Sequence, residues 1–259
     1  MVSRKSRAEI ERMRRAGRIV AEVLALVEEE LRPGVTTAHL DRLAERHIRA
    51  CGATPSFKRY LGNGRYGDGP RSYPASLCVS IDEEVVHGIP SDRVIRDGQL
   101  VSVDAGAIVE GWHADAARTF VVGEVPGDAR RLVETTNLAL MAGIAAARPG
   151  AHIGTISGAI EDVAAGAGFG IVRQFVGHGI GSQMHEEPQI PNYRTGSQGL
   201  RLDPGMCLAI EPMLTIGSPD VEVQDDHWTV VTIDRSRSAH FEHTIALTDD
   251  GPEILTAVA

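Results

Sequence analysis

The chain states one pattern twice, and each statement ends in a pair of carboxylates. The first runs Arg32-Pro33-Gly34, a helical stretch, His87-Gly88-Ile89, Gly98 to Asp104, then Asp115. The second runs Arg148-Pro149-Gly150, a helical stretch, His178-Gly179-Ile180, Gly205 to Glu211, then Glu242. The interval from glycine to acid is six residues both times (104−98 and 211−205). A duplicated fold that brings one histidine and two acids from each half to a pseudo-twofold centre is a natural way to build a carboxylate-rich, two-metal site. That donor set points to metal-dependent hydrolysis.

Ser6-x-x-Glu9 reads as a capping box, and apolar residues from Ile10 to Leu31 follow at mostly helical spacing until Pro33-Gly34 stops them. A second helix is predicted over Thr37 to Cys51. The same pair recurs as Asp128 to Ala147 and Thr155 to Ala165. Strands are predicted over Leu100 to Val103, Thr119 to Val122, Cys207 to Ile210, Trp228 to Ile233 and His240 to Thr248, all rich in Val, Ile, Leu and Thr. Helix pairs alternating with strands on short turns predict an α+β fold, an antiparallel sheet with helices packed on one face. The halves share the sheet centre, so residues 1–259 are read as a single domain. The Arg-Pro-Gly markers lie 116 residues apart (148−32), but the His-Gly-Ile markers only 91 (178−87). The first half therefore carries about 25 extra residues between its markers. The Gly- and Arg-rich stretch 57–74 is the candidate insert.

Bulk properties exclude several classes. A hydrophobic fraction of 42% supports a core with no disulfide staple, and three cysteines at unrelated spacings fit a reducing compartment. The first seven residues hold no apolar run, so no secretory signal is expected. The longest apolar run, Leu138 to Ala147, is about half of what a bilayer requires. No membrane association is expected, and the cytoplasm is the expected location. A net charge of −9 argues against DNA binding. The basic cluster Arg4, Lys5, Arg7, Arg12, Arg14, Arg15 and Arg18 reads as a solvated helix face rather than an RNA-contacting patch.

The carboxylates carry the chemistry. If Glu110-Gly111 is a two-residue turn, Val109 opposes Trp112 and Gly106 opposes Asp115. Asp104 then shares a face with Asp115, the backbones roughly 7–8 Å apart. Glu211 and Glu242 sit in apolar contexts, where a carboxylate is costly unless paired or metal-bound. Pro212 implies that the strand ends at Glu211. Four converging carboxylates without cations would repel one another and hold raised pKa values. Either they lie apart or cations hold them together, and the repeat favours the second. His178 between two glycines is the nitrogen ligand to match, and the glycines permit close approach to a neighbour. His87 and His185 are candidates for proton or oxyanion duties. Cys78 and Cys207 read as buried small hydrophobes. His39, His47, His113, His152, His227, His240 and His243 read as surface or packing residues. Gly62-Asn63-Gly64-Arg65-Tyr66-Gly67 matches a phosphate-loop pattern, but no strand precedes it and Pro70 follows, so it is not read as one.

Taken together, these stretches resemble the type I methionine aminopeptidases. The matches are Val86-His87-Gly88-Ile89-Pro90, Val103-Asp104-Ala105-Gly106-Ala107, Gly111 to Asp115, Gly177 to Gly181, Met184 to Pro188, Ile210 to Met213 and Phe241 to Thr244. The resemblance spans nearly the whole chain. It implies the pita-bread fold, a curved antiparallel sheet flanked by two pairs of helices. It implies five metal ligands, with Asp115 and Glu242 shared by two divalent ions (Co, Mn, Fe or Zn), His178 and Glu211 completing one site and Asp104 the other. It further implies Glu211 as proton shuttle, His185 at the oxyanion, His87 at the scissile amide, and a methionine pocket lined by Tyr73, Cys78, Met184 and Trp228. The implied reaction removes the initiator methionine from nascent polypeptide N-termini, by a monomer, with the ribosome as a candidate partner. Three features depart from the family: the longer stretch 57–73, Met184 where some relatives carry Phe, and Asp82 where relatives often carry Asn near a monovalent-cation site. Rival readings are a proline-directed aminopeptidase or dipeptidase of the same fold, or a binding protein that has lost catalysis.

Overall fold

The computed structural model describes residues 2–62 and 65–257. The first half runs α1 (Arg7–Glu30), α2 (Thr37–Ala50), β1 (Thr54–Pro55), β2 (Tyr60–Gly62), β3 (Arg65–Tyr66), β4 (Leu77–Ile81), β5 (Glu84–Val86), β6 (Gln99–Val109) and β7 (Trp112–Val122). The second runs α3 (Gly127–Ala146), α4 (Ile153–Ala167), β8 (Gly170–Ile171), β9 (Gly177–Gly179), β10 (Glu186–Ile190), β11 (Cys207–Ile210), β12 (Met213–Thr215), β13 (Val221–Val223), β14 (Val230–Thr232), β15 (Ser238–His240), β16 (Glu242–Thr248) and β17 (Gly251–Ile254). All four predicted helices are present within two residues of their expected ends. The capping box forms: Glu9 N donates to Ser6 Oγ, and Ser6 N donates to the Glu9 carboxylate at 2.7 Å.

Nine antiparallel strands make the main sheet, ordered β1-β6-β7-β16-β11-β9-β10, with β4 on β6 and β17 on β16. The β7–β16 pairing joins the two halves at the centre. Helices cover one face. Under the first half, Val20, Val23 and Val27 of α1 and Leu40 and Ile48 of α2 pack against Val101, Val103, Ala105 and Phe120. Under the second, Leu140 and Ile144 of α3 and Ile156 and Ile160 of α4 pack against Leu208, Ile210 and Ile245. Each such fully buried aliphatic side chain contributes roughly 1.5–3 kcal/mol relative to exposure. That burial commits one sheet face to the core and leaves the other free to carry polar groups.

The hairpin forms as its turn chemistry predicts. Val109 pairs with Trp112 and Gly106 with Asp115. Glu110 and Gly111 both have positive φ, 51° and 83°, the backbone of a type I′ turn. Strands β6 and β7 extend well beyond the predicted 100–103 and 119–122, because the alanine- and glycine-rich residues near the turn pair as regularly as the β-branched ones. The predicted strand 240–248 is two strands. Phe241 breaks it, donating its N–H to Pro212 O, while β15 pairs with β12 in a separate three-stranded sheet. Glu211-Pro212 and Phe241 are thus the bend at which two neighbouring strands leave the main sheet together. Strand β4 carries Cys78 alongside Asp104 and was not predicted.

Candidate metal centre and its cavity

Register alone gathers the five candidate ligands on the uncovered face. Asp104 pairs with Ala117, and Ala117 pairs with Glu242 on its other side. Asp115 lies two residues from Ala117 on the same strand, hence on the same face. Beyond the last pair, Ile210 with His243, continuing the register sets Glu211 opposite Glu242. Ala209, two residues before Glu211, pairs with His178. The small Ala117 and Ala209 are what leave room between these side chains. Gly177 and Gly179 let β9 fit between its neighbours. A Cβ on the first would lie 2.4 Å from Ala209 O, and one on the second 2.3 Å from Glu187 O.

Ligand atoms of Asp115, His178 and Glu242 lie within 4.8 Å of one another. His178 Nε2 is 3.8 Å from Asp115 Oδ2 and 3.6 Å from Glu211 Oε1. Its Nδ1 donates to Gly179 O at 2.9 Å, so the Nε2 lone pair faces the acids. Asp115 is held by Thr244, whose hydroxyl is 2.8 Å from both Oδ1 and the Asp115 carbonyl. Asp104 Oδ1 is buried with no hydrogen-bond partner among the described residues.

Among the described residues, the only ion-pair partners of these four carboxylates are His178 and His240. Burial, more than any neighbour, pushes the Asp115 carboxyl up to about 7. Burial and then the Asp115 charge push Asp104, Glu211 and Glu242 well above the usual range. Burial also depresses the imidazoles: His178 and His87 to about 4, His185 to about 3. The result is neutral nitrogen ligands among carboxyls that want positive charge. An orphaned carboxylate oxygen, an aimed imidazole lone pair and a missing lysine or arginine together fit divalent cations.

The acids open into a cavity of about 110 Å³ that every site residue named from the sequence lines: the five ligands with His87, His185, Tyr73, Cys78, Met184 and Trp228. Phe57, Tyr60, Tyr73, Cys78 and Met184 form one apolar cluster with Trp228 packed on it. Tyr73 is a pure wall residue, since its hydroxyl is spent on Leu77 O and Gly88 O, both at 2.9 Å. His185 lies 4.3 Å from His178, ring to ring, and His87 packs edge-on against Phe175 and Trp228.

Two residues were missed. His240, read from sequence as packing, lines the cavity with Nε2 3.9 Å from Glu211 Oε2 and, among the described residues, no hydrogen-bond partner for that nitrogen. Its place two residues before Glu242 was the available signal. Tyr60, in the insert, sets its hydroxyl 2.7 Å from His185 Nδ1. The insert thus reaches the centre of the site and not only its mouth. Part of the insert forms the β2–β3 ribbon, with Tyr66 against Tyr60. No helix follows the glycine pattern there, and Asn63 and Gly64 lie outside the described residues. Asp82 is engaged within the protein, with Arg237 Nε 3.1 Å from its Oδ1, Leu100 N donating to the same oxygen and Gln99 Nε2 donating to Oδ2 at 3.2 Å.

Comparison with known proteins agrees with this construction. The profile of metallopeptidase family M24 matches residues 11–249. A methionine aminopeptidase of Clostridium acetobutylicum is 48% identical over 99% of both chains. Methionine aminopeptidase 1 of Bacillus subtilis is 46% identical over the full length of both. The crystal structure of methionine aminopeptidase from Thermotoga maritima superposes with a TM-score of 0.93 at 42% identity, covering 99% of this chain and all of that one. Prolidase from Pyrococcus furiosus shares the fold at 24% identity, with a TM-score of 0.78, and this chain covers 66% of its length. The architecture is the pita-bread fold, and the chain is a metal-dependent hydrolase that belongs to metallopeptidase family M24, among its methionine aminopeptidases.

Proposed function

We propose that this chain removes the N-terminal methionine from peptides and nascent proteins by hydrolysing the first peptide bond. One observation carries the reading. A wall of acids and imidazoles faces, across a small cavity, a wall of aromatic rings and sulfur with no charge on it. Thioether against aromatic is a favourable contact, and a side chain seated there leaves its backbone beside the acids.

Asp104, Asp115, His178, Glu211 and Glu242 would hold two divalent ions. When bound, these supply Lewis acidity and a nucleophile at neutral pH. The protein's own groups do the rest. Tyr73, Cys78, Met184 and Trp228 seat the methionine side chain and exclude water from it. His185 is neutral, and the Tyr60 hydroxyl at its Nδ1 selects the tautomer with the proton on Nε2. That Nε2–H donates to the carbonyl oxygen as it gains charge. His87, neutral by burial, orients the scissile amide and its leaving nitrogen. Glu211 takes the proton from the attacking water at a carboxylate oxygen and hands it to the leaving amine. Mixed carboxylate and imidazole ligation suits Co, Mn, Fe and Zn alike, and supply decides among them. The natural substrate is a free polypeptide N-terminus.

The test is a peptide panel, Met-Gly-x against x-Pro-x, with each metal added to the chelated protein. Release of free methionine from the first set alone supports the reading. Cleavage confined to x-Pro bonds would move the chain to a proline-directed peptidase, and no cleavage with any metal would make it a binding protein.

A further inference from the structure

We propose that Glu22, His47 and Cys51 form a second, surface metal site that takes Zn²⁺ and ties α1 to α2. None of the three lines the catalytic cavity. Glu22 stands on α1, His47 on the last turn of α2, and Cys51 caps that helix. His47 and Cys51 are four positions apart (51−47), so both point to one side of the helix end. One ligand atom from each residue lies within 4.8 Å of the other two.

The spacing suits zinc. With Zn–S near 2.3 Å and Zn–N near 2.0–2.1 Å, a tetrahedral sulfur–nitrogen edge is about 3.6 Å. Cys51 Sγ and His47 Nε2 are 3.6 Å apart. His47 Nε2 is 2.8 Å from Glu22 Oε2, a hydrogen bond that must open to an edge of about 3.4 Å to admit the ion. Glu22 is partly exposed, with 41% of its side chain open to solvent, so its carboxylate has room for that. Cys51 is exposed as well, so an ion reaches the site without unfolding anything, and water completes the fourth position. The C-terminus of α2 adds the negative end of a helix dipole, which favours a cation there.

The donor types distinguish this site from the catalytic one. Thiolate, imidazole and one carboxylate select a borderline-soft ion over Mg²⁺, Ca²⁺ or Mn²⁺. Binding releases the Cys51 thiol proton to solvent as the sulfur–zinc bond forms.

Cobalt(II) added to the full-length chain tests this, as a spectroscopic stand-in for zinc. Oxygen and nitrogen ligands at the catalytic centre give only d–d bands, whereas thiolate gives a near-ultraviolet sulfur-to-cobalt charge-transfer band. The wild-type protein is expected to show that band, Cys51→Ser and His47→Ala to lose it, and Cys78→Ser and Cys207→Ser to keep it. After dialysis against zinc, the wild type is expected to hold one more ion per chain than Cys51→Ser. No band in the wild type, a band that survives Cys51→Ser, or equal zinc contents would overturn the proposal.

Discussion

Stripping the cations from the catalytic site should make folding stability fall with pH in a window where few other groups titrate. In the folded chain, burial holds Asp115 near 7 against an ordinary 3.8, and holds Asp104, Glu211 and Glu242 well above their usual range. A carboxyl whose folded pKa is raised favours the fold while protonated. Its contribution is complete below the unfolded pKa and is lost as pH rises through the folded one. Each proton kept by the fold and absent from the unfolded chain removes about 1.4 kcal/mol of stability per pH unit. The buried histidines act in the opposite sense and lower down. With folded values near 3 to 4, their contribution is present above about 6.5 and lost only as pH falls below it. Thiols enter only above about 8.5. Between about pH 7 and about pH 8, the slope therefore counts protons on the carboxylate cluster. Asp115 loses its proton as pH passes about 7, and each proton still held by Asp104, Glu211 or Glu242 gives a loss of about 1.4 kcal/mol over that pH unit, against a domain's typical stability of roughly 5–15 kcal/mol. Urea unfolding of chelated and metal-loaded protein at both pH values measures it. The chelated protein should lose stability between the two pH values, by about 1.4 kcal/mol for each proton retained, and the loaded protein should be flat. A flat profile after chelation, or the same slope in both states, would refute the convergence of these four acids.

Replacing His87 by Ala should cut turnover by about 10²–10⁴-fold with metal content unchanged by elemental analysis; loss of stoichiometric metal would contradict its place outside the ligand set. Asp104→Ala should lose one of two ions and most activity, and an unimpaired variant would rule out its role as a ligand. Tyr60→Phe leaves His185 Nδ1 without its hydroxyl partner and should lower kcat about tenfold, the value of one hydrogen bond, with metal affinity unmoved; an unchanged kcat would show that the tautomer needs no such support. Gly177→Ala forces a methyl against Ala209 O and should destabilise the fold by about 1–3 kcal/mol in urea. An unshifted midpoint would mean that β9 can move aside.

Much of the site was legible because its residues are expensive where they stand. A glutamate inside Leu-Ala-Ile-Glu-Pro needs a reason to be buried, and the repeat supplied a second glutamate and two aspartates to share it. The hairpin was legible because Glu110-Gly111 fixes a register, and a register fixes which side chains share a face. The missing parts depend on contacts between distant segments. Phe241 looks like any strand residue until Pro212, 29 positions earlier (241−212), turns its own strand out of the sheet at the same level. His240 is marked in the sequence only by standing two residues before Glu242, and the bend turns it toward the cavity while leaving His243 on Thr256. Tyr60 could be placed only by knowing that its loop folds back onto His185.

The two halves contribute unequally, and the inequality separates holding metal from choosing substrate. Matching register positions in both halves supply the acids, so the metal floor inherits the pseudo-twofold symmetry of the sheet. The wall opposite has no such symmetry. Phe57, Tyr60 and Tyr73 come from the insert that only the first half carries, and Met184 and Trp228 come from second-half loops. A symmetric floor alone would bind a peptide in either of two directions related by the pseudo-axis. One aromatic wall on one side removes that ambiguity, because only one orientation puts an apolar side chain against Trp228 and Met184. On the proposed two-metal reading, the insert is the element that would make the centre a directional peptidase, and His185, held by Tyr60 of that insert and packed on the candidate ligand His178, is where the two parts meet.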